Sequence, residues 1–318
     1  MLSFVLLLCV ALVNAYSDPG ACSGTCWAHD PNVIRRVSDG TYFRFSTGGG
    51  IHISSASAIT GPWTDLGYAL PDGSIVSVGN ASNLWAPDVH YVDGTYYMYY
   101  ASSTLGSRSS TIGVATSTTL EADSWTDHGE IGVTSSSSTP YNAIDPNWIT
   151  IGSTPYLQFG SYWQGLYQVE MTDSLTASSS SPTNLAYNAS GNHAIEASYM
   201  YEYGGYYYLT FSSGTAQGYT TSLPAQGDEY RIVVCRSKTG TGNFVDKDGV
   251  SCLNSGGTTV LSSHDYVYGP GGQGIINTTS HGIVVYYHYA DKNIGLAVDE
   301  YQFGWNTLTW TDGWPVVA

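Results

Sequence analysis

The chain has 318 residues and a formal net charge of −16, with nine Lys and Arg against 25 Asp and Glu. That balance argues against nucleic acid, anionic membranes and acidic polysaccharides as partners, because phosphate and carboxylate groups are bound by clustered basic side chains. With 27 Tyr, 9 Trp, 37 Gly and almost no helical Ala/Glu/Lys/Leu periodicity, the composition favours one all-β domain over a helical protein.

The first element is the apolar run of residues 1–15, ending in Val13-Asn14-Ala15, which has the shape of a cleavable signal peptide despite lacking a basic start. A membrane span needs about 20 apolar residues, so the run is too short to be an anchor. A secreted, extracellular chain starting near Tyr16 is expected, with residues 16–318 as one domain. Outside the leader stand Cys22, Cys26, Cys235 and Cys252. An even count in a secreted chain suggests two disulfides, and the pairs 22–26 and 235–252 are favoured because each closes a short loop. Sequons at Asn80, Asn188 and Asn277 fit a secreted surface.

From residue 30 onward one pattern recurs five times: a polar opening residue, a short strand, a turn, then an aromatic strand. Asp30-Pro-Asn-Val-Ile leads through Asp39-Gly40 to Tyr42-Phe-Arg-Phe, and Trp85-Ala-Pro-Asp-Val through Asp93-Gly94 to Tyr96-Tyr-Met-Tyr-Tyr. Asp145-Pro-Asn-Trp-Ile turns around Thr154-Pro155 into Tyr156-Leu-Gln-Phe, and Glu196-Ala-Ser-Tyr-Met turns at Gly204-Gly205 into Tyr206-Tyr-Tyr-Leu. The fifth copy runs from Gly272-Gln-Gly-Ile-Ile through His281-Gly282 to Ile283-Val-Val-Tyr-Tyr. Each copy reads as a β-hairpin. Third strands are expected at Ile51, Ile112, Leu166, Ile232 and Ile294-Gly-Leu-Ala-Val. Five such units without helices specify a five-bladed β-propeller.

In a propeller the first strand of each blade lines the central channel, so the opening residues converge. They are Asp30, Ala86, Asp145, Glu196 and about Gly272, three of them carboxylates in nearly apolar surroundings. Asp-Pro is also a common turn opener, but an unpaired Glu196 between Ala194-Ile195 and Ala197-Ser198 is costly, and surface acids do not fall into register. Such a set suits glycoside cleavage, where one carboxyl donates a proton, another stays ionised, and a third raises the donor's pKa. Asp88, two residues past the register, is read as structural, and His29 as packing on the opposite side of its strand. The run Tyr268-Gly-Pro-Gly-Gly-Gln-Gly is no phosphate loop, since it lacks a Lys and a following helix.

His29-Asp-Pro-Asn-Val-Ile-Arg, Leu84-Trp-Ala-Pro-Asp-Val, Tyr141-Asn-Ala-Ile-Asp-Pro-Asn and Ile195-Glu-Ala-Ser-Tyr-Met resemble the motifs of glycoside hydrolase family 43, and within it the fungal endo-1,5-α-L-arabinanases. The resemblance implies Asp30 as general base, Glu196 as general acid and Asp145 as pKa modulator and orienting residue. It implies Trp85 and Ser161 at the substrate, inversion at the anomeric carbon, and an arabinan substrate cut within the chain; a monomer acting on a neutral polysaccharide is expected. Many bacterial members carry a His at the fifth register, associated with calcium or another cation; here Gly272 stands there, so no cofactor is expected to be required, and a channel calcium, if one binds, is expected to be held mostly by water and backbone oxygens. Alternatives are an exo-acting arabinofuranosidase or β-xylosidase of the same family, and a non-catalytic carbohydrate-binding propeller. Invertase-like propellers are disfavoured, because Ile144 and Ala197 stand where they carry Arg and Cys.

Overall fold

Left-handed turn residues set the hairpins from which the molecule is built. Asp93 and Gly94 (φ 46° and 92°) join paired Val92 and Thr95, and Gly204-Gly205 (φ 57° and 77°) join Tyr203 and Tyr206. Two-residue turns of this hand match the twist of the strands they connect. A computed structural model describes residues 16–318 apart from Ser178; the expected leader, residues 1–15, lies outside the described residues.

Blade 1 comprises β1–β4 (Asn32–Arg35, Tyr42–Ser46, His52–Ala56, Thr64–Tyr68) and blade 2 β5–β8 (Leu84–Val92, Thr95–Ser102, Ser110–Ser117, Thr126–Ser135). Blade 3 comprises β9–β13 (Asn147–Ile151, Thr154–Phe159, Leu166–Asp173, Thr176–Ala177, Thr183–Ala186). Blade 4 is β14–β17 (Ile195–Tyr203, Tyr206–Ser213, Arg231–Ser237, Thr258–Leu261), and blade 5 is β18–β21 (Val267–Thr278, Gly282–Asp291, Gln302–Thr311, Trp314–Val317). All pairings within the blades are antiparallel. The innermost strands β1, β5, β9, β14 and β18 touch one another in a closed ring, the five-bladed propeller expected from the repeat. Apolar clusters fill the spaces between blades, with Phe45, Met98 and Tyr100 between blades 1 and 2, and Leu209, Phe211 and Leu166 between blades 3 and 4. Burying each such side chain stabilises the ring by about 1.5–3 kcal/mol.

Two details of the repeat differ from expectation. In blade 3 the turn is Gly152-Ser153, because Gly152 takes the left-handed position (φ 64°) and Thr154-Pro155 already lie in β10. In blade 5 the segment Ile294–Val298 is not a strand. Ile294 is 58 % exposed, Leu296 and Val298 pack on the Tyr219/Tyr301 cluster, and Gln302–Thr311 pairs with β19 instead.

Blade 5 is closed onto blade 1 by the irregular N-terminal segment. Gly20 N–H donates to Trp305 O, Phe303 N–H to Cys26 O and Thr25 N–H to Trp63 O, so residues 20–27 bridge the two blades. Arg44, 1 % exposed, donates to the carbonyls of Thr25 and Trp27 and lies between the Trp63 and Phe303 rings. Burial lowers its pKa to about 9, which still leaves it charged at neutral pH.

Both favoured disulfides are present, with Cα–Cα distances of 6.0 Å for Cys22–Cys26 and 6.6 Å for Cys235–Cys252. Loop-closure entropy grows with the residues enclosed, here sequence separations of 4 and 17. Replacing Cys235 and Cys252 by Ser is expected to cost about 3 kcal/mol in denaturant unfolding, and replacing Cys22 and Cys26 about 2 kcal/mol. Equal losses would contradict the entropic account.

Candidate active site

At the same level of all five blades the chain passes through one left-handed residue: Asp30 (φ 45°), Ala86 (44°), Asp145 (57°), Ala197 (52°) and Gly272 (59°). In β5, β14 and β18 this residue falls at a break in strand register, and such a bulge re-aims the neighbouring side chains. Glu196 is therefore not the counterpart of Asp30 and Asp145, as the repeat suggested. That place belongs to Ala197, and Glu196 occupies the preceding position, shared with His29, Trp85, Ile144 and Gly271. All three carboxylates still meet on the floor of one cleft of about 850 Å³, because the bulges let adjacent residues face the same opening.

Each carboxylate is held by specific donors. Thr47 Oγ1 donates to Asp30 Oδ2 at 2.8 Å, and His29 Nε2 lies 3.7 Å from the same oxygen. Ser161 Oγ donates to Glu196 Oε2 at 2.6 Å and Tyr230 OH to Oε1 at 3.0 Å. The backbone N–H of Ala197 donates to Asp145 Oδ2 at 2.9 Å. Burial acts to raise the Asp30 carboxyl, but His29, His288 and the Thr47 hydroxyl outweigh it and hold it below the usual Asp range. Burial raises Asp145 well above that range, and the charges of Glu196 and Asp30 raise it further. Glu196 is raised by burial and by Asp30, against its bonds from Ser161 and Tyr230. One carboxyl is thus held below the usual range beside two raised above it, the separation that acid–base cleavage requires.

Trp85 lines the cleft. Ser161 also lines it, but its hydroxyl is committed to Glu196 and it is 3 % exposed, so it orients that carboxyl. His29, expected to pack away from Asp30, instead opens onto the cleft, because the left-handed turn at Asp30 breaks strand alternation. Tyr162 and Trp163 form a wall in left-handed conformations (φ 53° and 42°), a strain typical of binding sites. The segment 214–229 divides: Thr215, Ala216 and Gln217 border the cleft, while Leu223 is 55 % exposed. Tyr230 and Thr47 carry no sequence signal that marks them. His288 does, as an ionisable residue inside the apolar strand Val284–Ala290.

Asp88 is structural, as expected. It is 2 % exposed and accepts from Asn32 Nδ2 (3.1 Å), Asn147 Nδ2 (3.2 Å) and Trp148 N–H (2.7 Å), with His90 Nε2 at 2.6 Å. These bonds tie blades 1, 2 and 3 below the carboxylates.

The fifth register offers a cation no side chain. A Cβ on Gly272 would stand 2.7 Å from both Asp30 Oδ1 and His288 Nδ1, so no side chain can enter from the fifth register. The axial cavity beneath, lined by Asp30, Asp145, Ser198 and Gly272 among others, is about 40 Å³. His29, Asp30 and His288 do cluster. However, His288 Nδ1 accepts the Asp30 N–H at 3.0 Å, so in the neutral ring the proton sits on Nε2 and neither nitrogen offers a lone pair to a metal.

A propeller with one carboxyl held below the usual range and two raised above it on the floor of an open cleft defines a glycoside hydrolase. The chain belongs to glycosyl hydrolases family 43, whose profile matches residues 25–315. It is 96 % identical, over the full length of both chains, to a probable arabinan endo-1,5-alpha-L-arabinosidase C of Aspergillus niger. Among solved structures it is similar to a Bacillus subtilis arabinanase (TM-score 0.79, 30 % identity, 92 % of this chain and 98 % of that one). It is equally similar to an exo-1,5-alpha-L-arabinanase from a bovine ruminal metagenomic library (TM-score 0.81, 29 % identity, 92 % and 96 %).

Proposed function

We propose that the protein hydrolyses α-1,5-arabinofuranosidic bonds within arabinan chains, inverting the anomeric configuration. The observation that carries the reading is the pairing of an Asp30 held below the usual carboxyl range with a Glu196 held above it on one cleft floor. Asp30 takes a proton from a water as its oxygen attacks the anomeric carbon. The glycosidic C–O bond breaks on the opposite face, and the leaving oxygen takes the Glu196 proton. Asp145 accepts the Ala197 N–H beside the acid, and because Asp145 and Glu196 are close enough to repel when both are charged, an ionised Asp145 disfavours loss of the Glu196 proton. Room for the water calls for carboxyls about 6.5–9.5 Å apart. With no side chain at the fifth register to hold a cation, activity is expected to survive exhaustive chelation; a calcium-reversible loss would contradict this.

Endo action is supported by the name of the Aspergillus niger relative and by the cleft wall, where residues 215–217 border rather than plug the opening. Likeness of fold does not separate endo from exo action, since one neighbour is an exo-enzyme. Digestion of debranched arabinan is expected to drop viscosity while few reducing ends have appeared, and to yield arabino-oligosaccharides. Free arabinose as the only early product would make the enzyme exo-acting, and NMR of a retained first anomer would rule out single displacement.

We further infer action outside the cell as a monomer. Two disulfides and exposed sequon residues Asn80 and Asn277 support an extracellular setting, and the −16 net charge opposes self-association. Among the described residues no helix is long and apolar enough to cross a membrane.

A further inference from the structure

The left-handed residue of each blade must present its N–H to something in a buried channel, and the innermost hairpins supply it by a common device. Thr47, Ala101, Gly160, Ser212 and His288 occupy one register on the second strands or just beyond them. Each lies opposite the residue that precedes the left-handed one: His29, Trp85, Ile144, Glu196 and Gly271. Where this residue has a polar side chain, it takes the N–H of the left-handed residue in the next blade. Thr47 Oγ1 accepts from Ala86 N–H (2.8 Å), Ser212 Oγ from Gly272 N–H (3.0 Å) and His288 Nδ1 from Asp30 N–H (3.0 Å). Only the last of these bonds ends on a carboxylate residue of the cleft, and only there is the acceptor an imidazole.

We propose that His288 is a positioning residue for Asp30. Its Nδ1 captures the Asp30 N–H and fixes the left-handed turn that aims the Asp30 carboxylate into the cleft, and Gly272 is bare so that the imidazole can reach it. The proposal rests on the assignment of Asp30 as base made above. A left-handed conformation costs a non-glycine residue about 1–3 kcal/mol unless its surroundings impose it. Thr47 holds the Asp30 carboxylate from the other end, so the residue is pinned at both.

The ring is itself held rigidly. It is 1 % exposed and stacks between Tyr301 (centroids 5.2 Å, 20°) and Tyr230 (5.9 Å, 13°), with His29 edge-on at 5.0 Å. Tyr230 is the donor to Glu196 Oε1, so one imidazole slab abuts the holders of both catalytic carboxyls. Burial lowers the His288 pKa to about 3, which keeps Nδ1 an acceptor throughout the working range. A Cβ on Gly271 would run into the Tyr230 ring, and one on Gly272 into His288 and Asp30. The glycine run at 271–272 is therefore the floor that admits both rings.

The test compares H288F, which keeps a ring between the tyrosines but loses the acceptor, with H288N, which restores an acceptor near the Nδ1 position. Debranched arabinan and an arabino-oligosaccharide bearing a nitrophenyl leaving group are the substrates, and melting is followed in parallel. H288F is expected to lower kcat about 10²-fold on both substrates with KM within about twofold, as a misplaced reacting group does. H288N is expected to recover at least about tenfold of that loss. A loss confined to arabinan would mean that the Tyr230–Glu196 side was disturbed, because good leaving groups need no acid, and would overturn the proposal. So would H288N no better than H288F, or a structure of H288F with Asp30 unmoved. Should H288F not fold, G272A, whose methyl would press on both Nδ1 and Oδ1, is expected to reproduce the kcat loss, and full kcat in it would equally overturn the proposal. Wild-type protein inactive on arabinan would instead count against the functional assignment.

Discussion

Replacing Asp30 by Ala is expected to remove activity by at least about 10³-fold on every substrate, because neither other carboxyl of the cleft floor is held below the usual range to activate the water. Glu196→Ala is expected to be as severe on arabinan yet to spare substrates whose leaving groups need little protonation. The pH profile of kcat/KM should be a bell with assigned limbs. Activity rises as Asp30 ionises, below the ordinary Asp value of 3.8, because its pKa is lowered. It falls as Glu196 loses its proton, above the ordinary Glu value of 4.5, because burial and the Asp30 charge raise it. Asp145→Asn removes a like charge from the pair, so Glu196 should ionise at lower pH and the alkaline limb should move toward acid. An alkaline limb that moves the other way, or an E196A variant equally dead on activated substrates, would reassign the acid.

The largest expected effect on stability lies below the site, at Asp88. Asp88→Ala would strand the side-chain N–H groups of Asn32 and Asn147, the backbone N–H of Trp148 and the His90 ring in a buried belt. Removing one partner of a buried charged network costs about 3–5 kcal/mol, and urea unfolding should register a loss of that size. Asp88→Asn keeps an acceptor and the shape, and should lose less than half as much. A loss under about 1 kcal/mol for D88A would mean that water replaces the carboxylate and that the belt does not hold the blades.

Much of this was legible without coordinates. Aromatic hairpins recurring five times determine a propeller, since each unit has a face to bury and only a ring of like units buries them all. The repeat also brought Asp30, Asp145 and Glu196 to one channel, and short loop spacing paired the cysteines. What periodicity could not carry is the place of a single residue where alternation fails. The left-handed residue at each opening shifts Glu196 one place from Asp30 and Asp145 and turns His29 into the cleft, while Ile294–Val298 lies outside the sheet because Gln302–Thr311 takes that edge. Tyr230, Thr47 and His288 reach the carboxylates from 34, 17 and 258 residues away in sequence. The Tyr230 and Thr47 bonds arise where a blade folds back on its own opening residue, whereas the His288 bond to Asp30 exists only once the fifth blade meets the first and a bare glycine leaves room for it.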